Sequence, residues 1–462
     1  MNLALLSFFL VLLSTVSNLF IFTIPPIIPF LSTCLLVLSI VFFRGLEDFR
    51  SGLLLITLLY SFLGVMHFLI NGDHDLGQGG YNLFASLEDP FVNYLAIQYI
   101  NFFLIGICLH SLVVKNSYLI IINDASINSK MYSFRDYRIK LFLAFCLFLF
   151  FSFSLDWQRI LSEYTLEGIS LTFFLSYYIF FIYSFYILQR GKLNLVSLIP
   201  LFFIIVIFFL TGTRQTIFWG ILLLALSFYI FRLKENNEKD RKLKILNLKT
   251  IIKLSTLFFL ILILFSGAVY FRVNRDPEML LSFFSNLPLI FKLFINLFIA
   301  ETMYTYYNLL IVLDLSLNGV FSLLNFFNDL ILQIIPAQIF PEKYKFMDFN
   351  NLSLEKNLTP FGTWFSIGMF TTISFHPLLI CFYSFLYCSF LNFLSLPLRK
   401  LTNNNPEYIA FYCVIYIFCS VYIVRATIAG GLKIAFSIIV IAFLINSIFK
   451  VFTGQFVEKA RR

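Results

Sequence analysis

Apolar blocks of 17 to 24 residues recur along this chain, separated by polar or basic connections. They fall at residues 3–22, 27–43, 51–70, 91–113, 139–155, 169–188, 195–211, 215–231, 251–271, 373–396, 408–424 and 432–450. At ~1.5 Å per residue, a helix of about twenty residues matches a bilayer core about 30 Å thick. The pattern therefore predicts an all-α polytopic integral membrane protein with about twelve transmembrane helices. A β-barrel would show short alternating segments instead of unbroken apolar runs. Pro25-Pro26 divides the first two blocks. Residues 199–231 carry a single charge, Arg214. As one helix this run would be about 50 Å long, too long for one span. Thr211-Gly212-Thr213-Arg214 is thus expected to turn between two spans, with Gly212 supplying backbone freedom.

Composition points the same way. The chain has 462 residues, 60 % hydrophobic and 12 % charged, with a mean hydropathy of +0.90; soluble chains sit near about 25 % charged. The first twenty residues are apolar but lack a basic leader and a small-residue cleavage site, so they are expected to remain as the first helix. The net charge of +9 takes its meaning from location. With the N-terminus inside, 23 of the 33 Lys and Arg fall on the cytoplasmic side, whereas only 9 of the 24 acidic residues do. The short loops all obey the positive-inside rule in this orientation, which places both termini in the cytoplasm. A basic membrane surface is implied, with membrane lipids as partners and no role for nucleic acid. "RLKENNEKDRKLK" is expected to be a solvated cytoplasmic loop touching anionic lipid.

Three regions follow. Residues 1–271 hold spans one to nine, residues 272–372 form one large external loop, and residues 373–462 hold the last three spans and a short basic tail. The loop is unusually apolar. Asn318, Ser322, Asn325, Asp329 and Gln333 recur every three or four residues within it, the pattern of a helix lying in the membrane interface. The seven cysteines all fall inside the apolar blocks and the four histidines are scattered. No disulfide framework, metal-ligand spacing or cofactor motif is expected.

Arginine location carries the chemistry. Arg159, Arg214, Arg272, Arg275 and Arg425 lie on the expected outer face, against the usual bias. Arg214 and Arg425 each follow an apolar helix with small residues nearby, while Arg272 and Arg275 open the large loop in "FRVNR". Three connections thus carry a guanidinium to one membrane depth, where its planar fork suits a phosphate. Each alone also fits a headgroup anchor or a helix C-terminal cap. Arg159, beside Asp156 and Trp157, fits a local pair. Glu301 either accepts a proton from a sugar hydroxyl or orients an arginine. His376 is a second candidate base, or a residue starting a helix at the interface. The Gly-rich loop carrying Asp73, His74 and Asp75 reads as flexible cover. Tyr306 and Trp157 are expected in an interfacial aromatic belt.

Between residues 205 and 440, "TGTRQTIF", "FRVNR", "ETMYTYYNLL", "IIPAQIFPEK", "LTPFGTWFSIG" and "IVRATIAGG" follow in order. Their order and topology resemble the Wzy-type polymerases of O-antigen and enterobacterial common antigen. The resemblance implies a GT-C-like fold in the bacterial inner membrane with a periplasmic active site. It implies transfer of a glycan from undecaprenyl diphosphate to the non-reducing end of another lipid-linked repeat unit. Donor and acceptor are then both undecaprenyl-diphosphate-linked glycans, and a chain-length-regulating co-polymerase and a flippase are the expected protein partners. Carried over by the resemblance, Arg214, Arg272 and Arg425 hold the diphosphate with Arg275 as auxiliary. Glu301 is then the candidate base, a phosphate oxygen of the donor being the alternative.

Two rivals share some features. An O-antigen ligase, acting on lipid A core, would be favoured by a histidine in the long loop, and residues 272–372 contain none. A flippase for lipid-linked oligosaccharides needs charge along a path through the bilayer, whereas mid-span charges here are rare.

Overall fold

The computed structural model describes residues 3–46, 48–71, 90–114, 134–155, 157, 170–190, 195–210, 216–226, 340–346, 377–402, 407–425, 433–445 and 447–448, with scattered positions between 263 and 335. The described residues form helices and their connections, with no strand. In chain order the helices are α1 (Leu3–Leu19), α2 (Ile27–Arg44), α3 (Phe49–Asn71), α4 (Pro90–Val113), α5 (Phe134–Phe153), α6 (Ser170–Arg190), α7 (Leu195–Leu210), α8 (Thr216–Leu226), α9 (Pro377–Thr402), α10 (Glu407–Arg425) and α11 (Lys433–Ile445). Each overlaps an apolar block of the sequence. Among the described residues, four stretches are both long and apolar enough to cross a membrane: Ile27–Arg44, Phe49–Ile70, Pro90–Val113 and Pro377–Leu394. The fold is compatible with a helical membrane protein.

Helix polarity argues for lipid more directly than length does. On α1 the buried positions are Ser7, Val11, Ser14, Ser17 and Asn18. The large apolar residues face outward, with Leu5 64 %, Phe9 61 % and Leu12 65 % exposed. A helix in water places these faces the other way round. In lipid there is no hydrophobic gain in hiding leucine, so small and hydroxylated residues take the helix interface. Helix α2 answers in kind with buried Ser32 and Thr33 and outward Leu35 and Phe42. The antiparallel pair is laced by Ser7 Oγ to Ser39 Oγ and Ser17 Oγ to Ser32 Oγ, both 3.1 Å, and by Asn18 Nδ2 donating to Thr33 Oγ1 at 3.2 Å.

The chain forms two compact units. The first comprises Met1–Ile121, Phe298–Pro397 and Ile415–Lys433. Here α1, α2 and α4 pack on one another, and α3 packs on α2 and α4. Helix α4 is the centre, since between Val92 and Ser111 only Tyr94 and Leu109 are less than fully buried. Gly106 of α4 allows α9 to approach closely, because a Cβ there would meet the carbonyl of Cys381 and the Ser384 hydroxyl. The second unit comprises Ile122–Leu297, Leu398–Val414 and Ile434–Arg462. In it α5 packs on α6 and α6 on α7. Phe173 of α6 meets Phe208 of α7 edge-on at 6.3 Å, and Phe145 of α5 lies 5.7 Å from Phe203 of α7. Trp157 donates its indole N–H to the Ser152 carbonyl at 2.8 Å, satisfying an acceptor at the end of α5.

Candidate functional site

Of the six residues that the sequence singles out, Arg214, Arg272, Arg275, Glu301 and His376 lie outside the described residues. The backbone of Arg425 is the last residue of α10, and its side chain is likewise outside the description. Helix α7 is described to Leu210 and α8 from Thr216, and Arg214 is one of the five residues between them that lie outside the description. The interfacial stripe from Asn318 to Gln333 and the loop around His74 also lie outside. No two of the candidate side chains are brought together by the described residues.

What the structure does place is the support next to Glu301 in the chain. Thr305, Tyr306, Leu309, Leu310 and Leu313 are helical and fully buried. Their spacing of one, four, five and eight residues marks a single helix face. Tyr306 is 0 % exposed, and its hydroxyl donates to Asn93 Oδ1 of α4 at 3.2 Å. The ring lies against α3 at Gly64, where a Cβ would come within 2.5 Å of the Tyr306 side chain. Tyr306 is therefore a core residue of the first unit rather than part of an aromatic belt. Sequence pattern alone misleads here, because a tyrosine with a satisfied hydroxyl and one at an interface look alike.

At the opposite end of α4 sits a buried charged cluster that the sequence showed only as loop basicity. Asp48 caps the start of α3, its carboxylate accepting the Arg50 backbone N–H at 3.0 Å. The Arg50 guanidinium returns to the same carboxylate through Nη2 at 2.6 Å and Nε at 2.9 and 3.0 Å. Its Nη1 reaches the carbonyls of His110 and Val114 at 3.4 and 3.3 Å. Arg44 adds a longer bond to the Val114 carbonyl at 3.4 Å. Positive groups thus meet the carbonyl end of α4, where the helix dipole favours them. The His110 ring packs edge-on against Phe385 of α9 at 4.9 Å. Tyr416 of α10 donates to the Leu46 carbonyl at 2.9 Å, tying that helix to the same connection. Arg50 is fully buried and Asp48 nearly so. A charge so placed is tolerable only when paired and hydrogen-bonded, as it is here. The arrangement is a clamp on helix ends, in which Arg50 and Asp48 neutralise each other. The one early signal was Asp48 standing just before an apolar run, the usual place of a cap.

Comparison with family models, with curated proteins and with solved structures finds no match. Among the described residues no group of three or more His, Cys, Asp or Glu is placed to hold a metal ion. The functional reading therefore rests on residue chemistry and on position along the chain.

Proposed function

We propose that the protein is an inner-membrane glycosyltransferase that polymerises undecaprenyl-diphosphate-linked oligosaccharide repeat units on the periplasmic face. It would have about twelve spans, a GT-C-like arrangement and both termini in the cytoplasm. The non-reducing-end hydroxyl of the acceptor attacks the anomeric carbon of the donor glycan. The bond from that carbon to the lipid diphosphate breaks, and the diphosphate leaves with the electron pair. Arg214, Arg272 and Arg425, with Arg275 as auxiliary, stabilise the charge that develops on it. Fixed guanidinium groups in a water-poor site cost little reorganisation and act most strongly on that charge. The hydroxyl proton passes to Glu301 or to a phosphate oxygen of the donor, with His376 as the further candidate base.

The observation that carries this reading is the repeated end-of-helix arginine. Helix α10 is apolar for most of its length and finishes at Arg425, and α7 finishes four residues before Arg214. A single arginine of this kind is an anchor; a recurring set suits a doubly charged leaving group. Purified protein in detergent, given a lipid-diphosphate-linked repeat unit and a metal chelator, tests it. The expected outcome is a ladder of longer lipid-linked glycans, abolished by Arg214→Lys. A folded wild type that makes no ladder from its cognate repeat unit would remove the polymerase reading. A lysine variant with full activity would return Arg214 to an anchoring role.

A further inference from the structure

We infer that the seam between α1, α2 and α4 holds an internal water molecule, bound by Asn101 Oδ1 and Ser14 Oγ beside Asn18. The inference is independent of the glycosyltransferase reading. Asn18 is the hub of the seam. Its Nδ2 donates to the Ser14 carbonyl at 2.7 Å and to Thr33 Oγ1 at 3.2 Å. Its Oδ1 accepts from Asn101 Nδ2 at 2.7 Å, and its backbone carbonyl accepts from Gln98 Nε2 at 2.9 Å. Because the Asn18 amide donates to two oxygens on one side, its Oδ1 must face Asn101. Asn101 must then present its nitrogen to Asn18, and flipping either amide alone would set like groups against each other. The orientation is pinned, so Asn101 Oδ1 has to look elsewhere for a donor.

It finds none among the described residues. Asn101 Oδ1 and Ser14 Oγ are both buried without a hydrogen-bond partner, and both residues are 0 % exposed. An acceptor left bare at this depth keeps its full desolvation penalty, which an ordered water relieves. The two orphans belong to one network, since Asn18 bonds the Ser14 backbone and the Asn101 side chain. One is an acceptor only and the other can donate or accept, the combination that one water satisfies. A cation is the alternative guest for such oxygens. However, α1, α2 and α4 contain no Asp or Glu to balance it, and an unbalanced ion in this setting is prohibitively costly. Water is neutral and both donates and accepts.

The test is a double-mutant cycle on the full-length protein in detergent, read as the thermal midpoint with Ser14→Ala, Asn101→Leu and the pair. A bridging water predicts that Ser14→Ala lowers the midpoint. It also predicts that the same change has little effect once Asn101→Leu is present, since the bridge is already gone. If Ser14→Ala is neutral or stabilising, the hydroxyl was unsatisfied and the proposal is overturned. Strictly additive losses overturn it as well, because Ser14 then bonds elsewhere. Asn101→Ser, which is too short to reach the seam, replaces the leucine variant if that one does not fold. If neither folds, wild-type density that resolves ordered water decides. A peak within hydrogen-bond distance of Asn101 Oδ1 and Ser14 Oγ upholds the proposal, and a contact with no peak overturns it. Added sodium or potassium that raises the wild-type midpoint, but not that of the Ser14→Ala variant, would replace the water with a cation.

Discussion

Replacing Arg50 by leucine should damage the protein far more than replacing both Arg50 and Asp48. In the single variant the Asp48 carboxylate loses three guanidinium contacts between 2.6 and 3.0 Å. It keeps only its backbone cap, at 5 % exposure. The carbonyls of His110 and Val114 lose their Arg50 donors at the same time, and Val114 retains only the longer bond from Arg44. Stranding one partner of a buried pair costs about 3–5 kcal/mol, mainly because the remaining charge is left uncompensated. The variant Asp48→Asn with Arg50→Leu has no such charge, and asparagine still caps α3. Most of the loss should therefore return, leaving about 1–2 kcal/mol for the hydrogen bonds that Arg50 made to the His110 and Val114 carbonyls, each of which keeps one other donor. SDS-driven unfolding in mixed micelles, followed by tryptophan fluorescence, measures the difference. Equal destabilisation of the single and double variants would refute the reasoning. So would a single variant within about 0.5 kcal/mol of wild type, the level of an ordinary surface change.

Two other outcomes follow from the geometry and the proposed chemistry. Gly64→Ala should destabilise by about 1–3 kcal/mol through overpacking against the Tyr306 side chain, whereas Leu59→Ala on the same helix, 44 % exposed, should cost much less; equal effects in the same unfolding assay would count against that contact. Arg425→Lys should behave like Arg214→Lys and abolish the glycan ladder while leaving the unfolding midpoint near wild type, since the role proposed for it is chemical. Loss of the fold instead would make Arg425 structural.

Much of the secondary structure could be read from the pattern. The block at 27–43 became Ile27–Arg44 and that at 91–113 became Pro90–Val113, because a bilayer-length apolar run has few alternatives to helix. Facing was harder to read. On α1 the moment of apolarity points away from the packed side, so a reader expecting leucine inside would turn the helix over. The candidate arginines were legible only as residues at helix ends, with Arg425 now seen to close α10. Tyr306 was misjudged because burial of a tyrosine depends on whether its hydroxyl finds a partner, and Asn93 stands 213 residues away.

Residue pattern alone showed that this chain is apolar and helical, and where most of its described helices begin and end. Those properties depend on residues within a few turns of one another, which is the range over which periodicity and composition speak. Which polar groups meet was settled by helix packing in three dimensions. Asn18 reaches Asn101 across 83 residues, and Arg50 reaches the end of α4 across 60 and 64 residues. Such pairings leave no periodic trace in the chain. They arise because a buried donor, acceptor or charge must be matched wherever the packed helices bring a partner within about 3 Å.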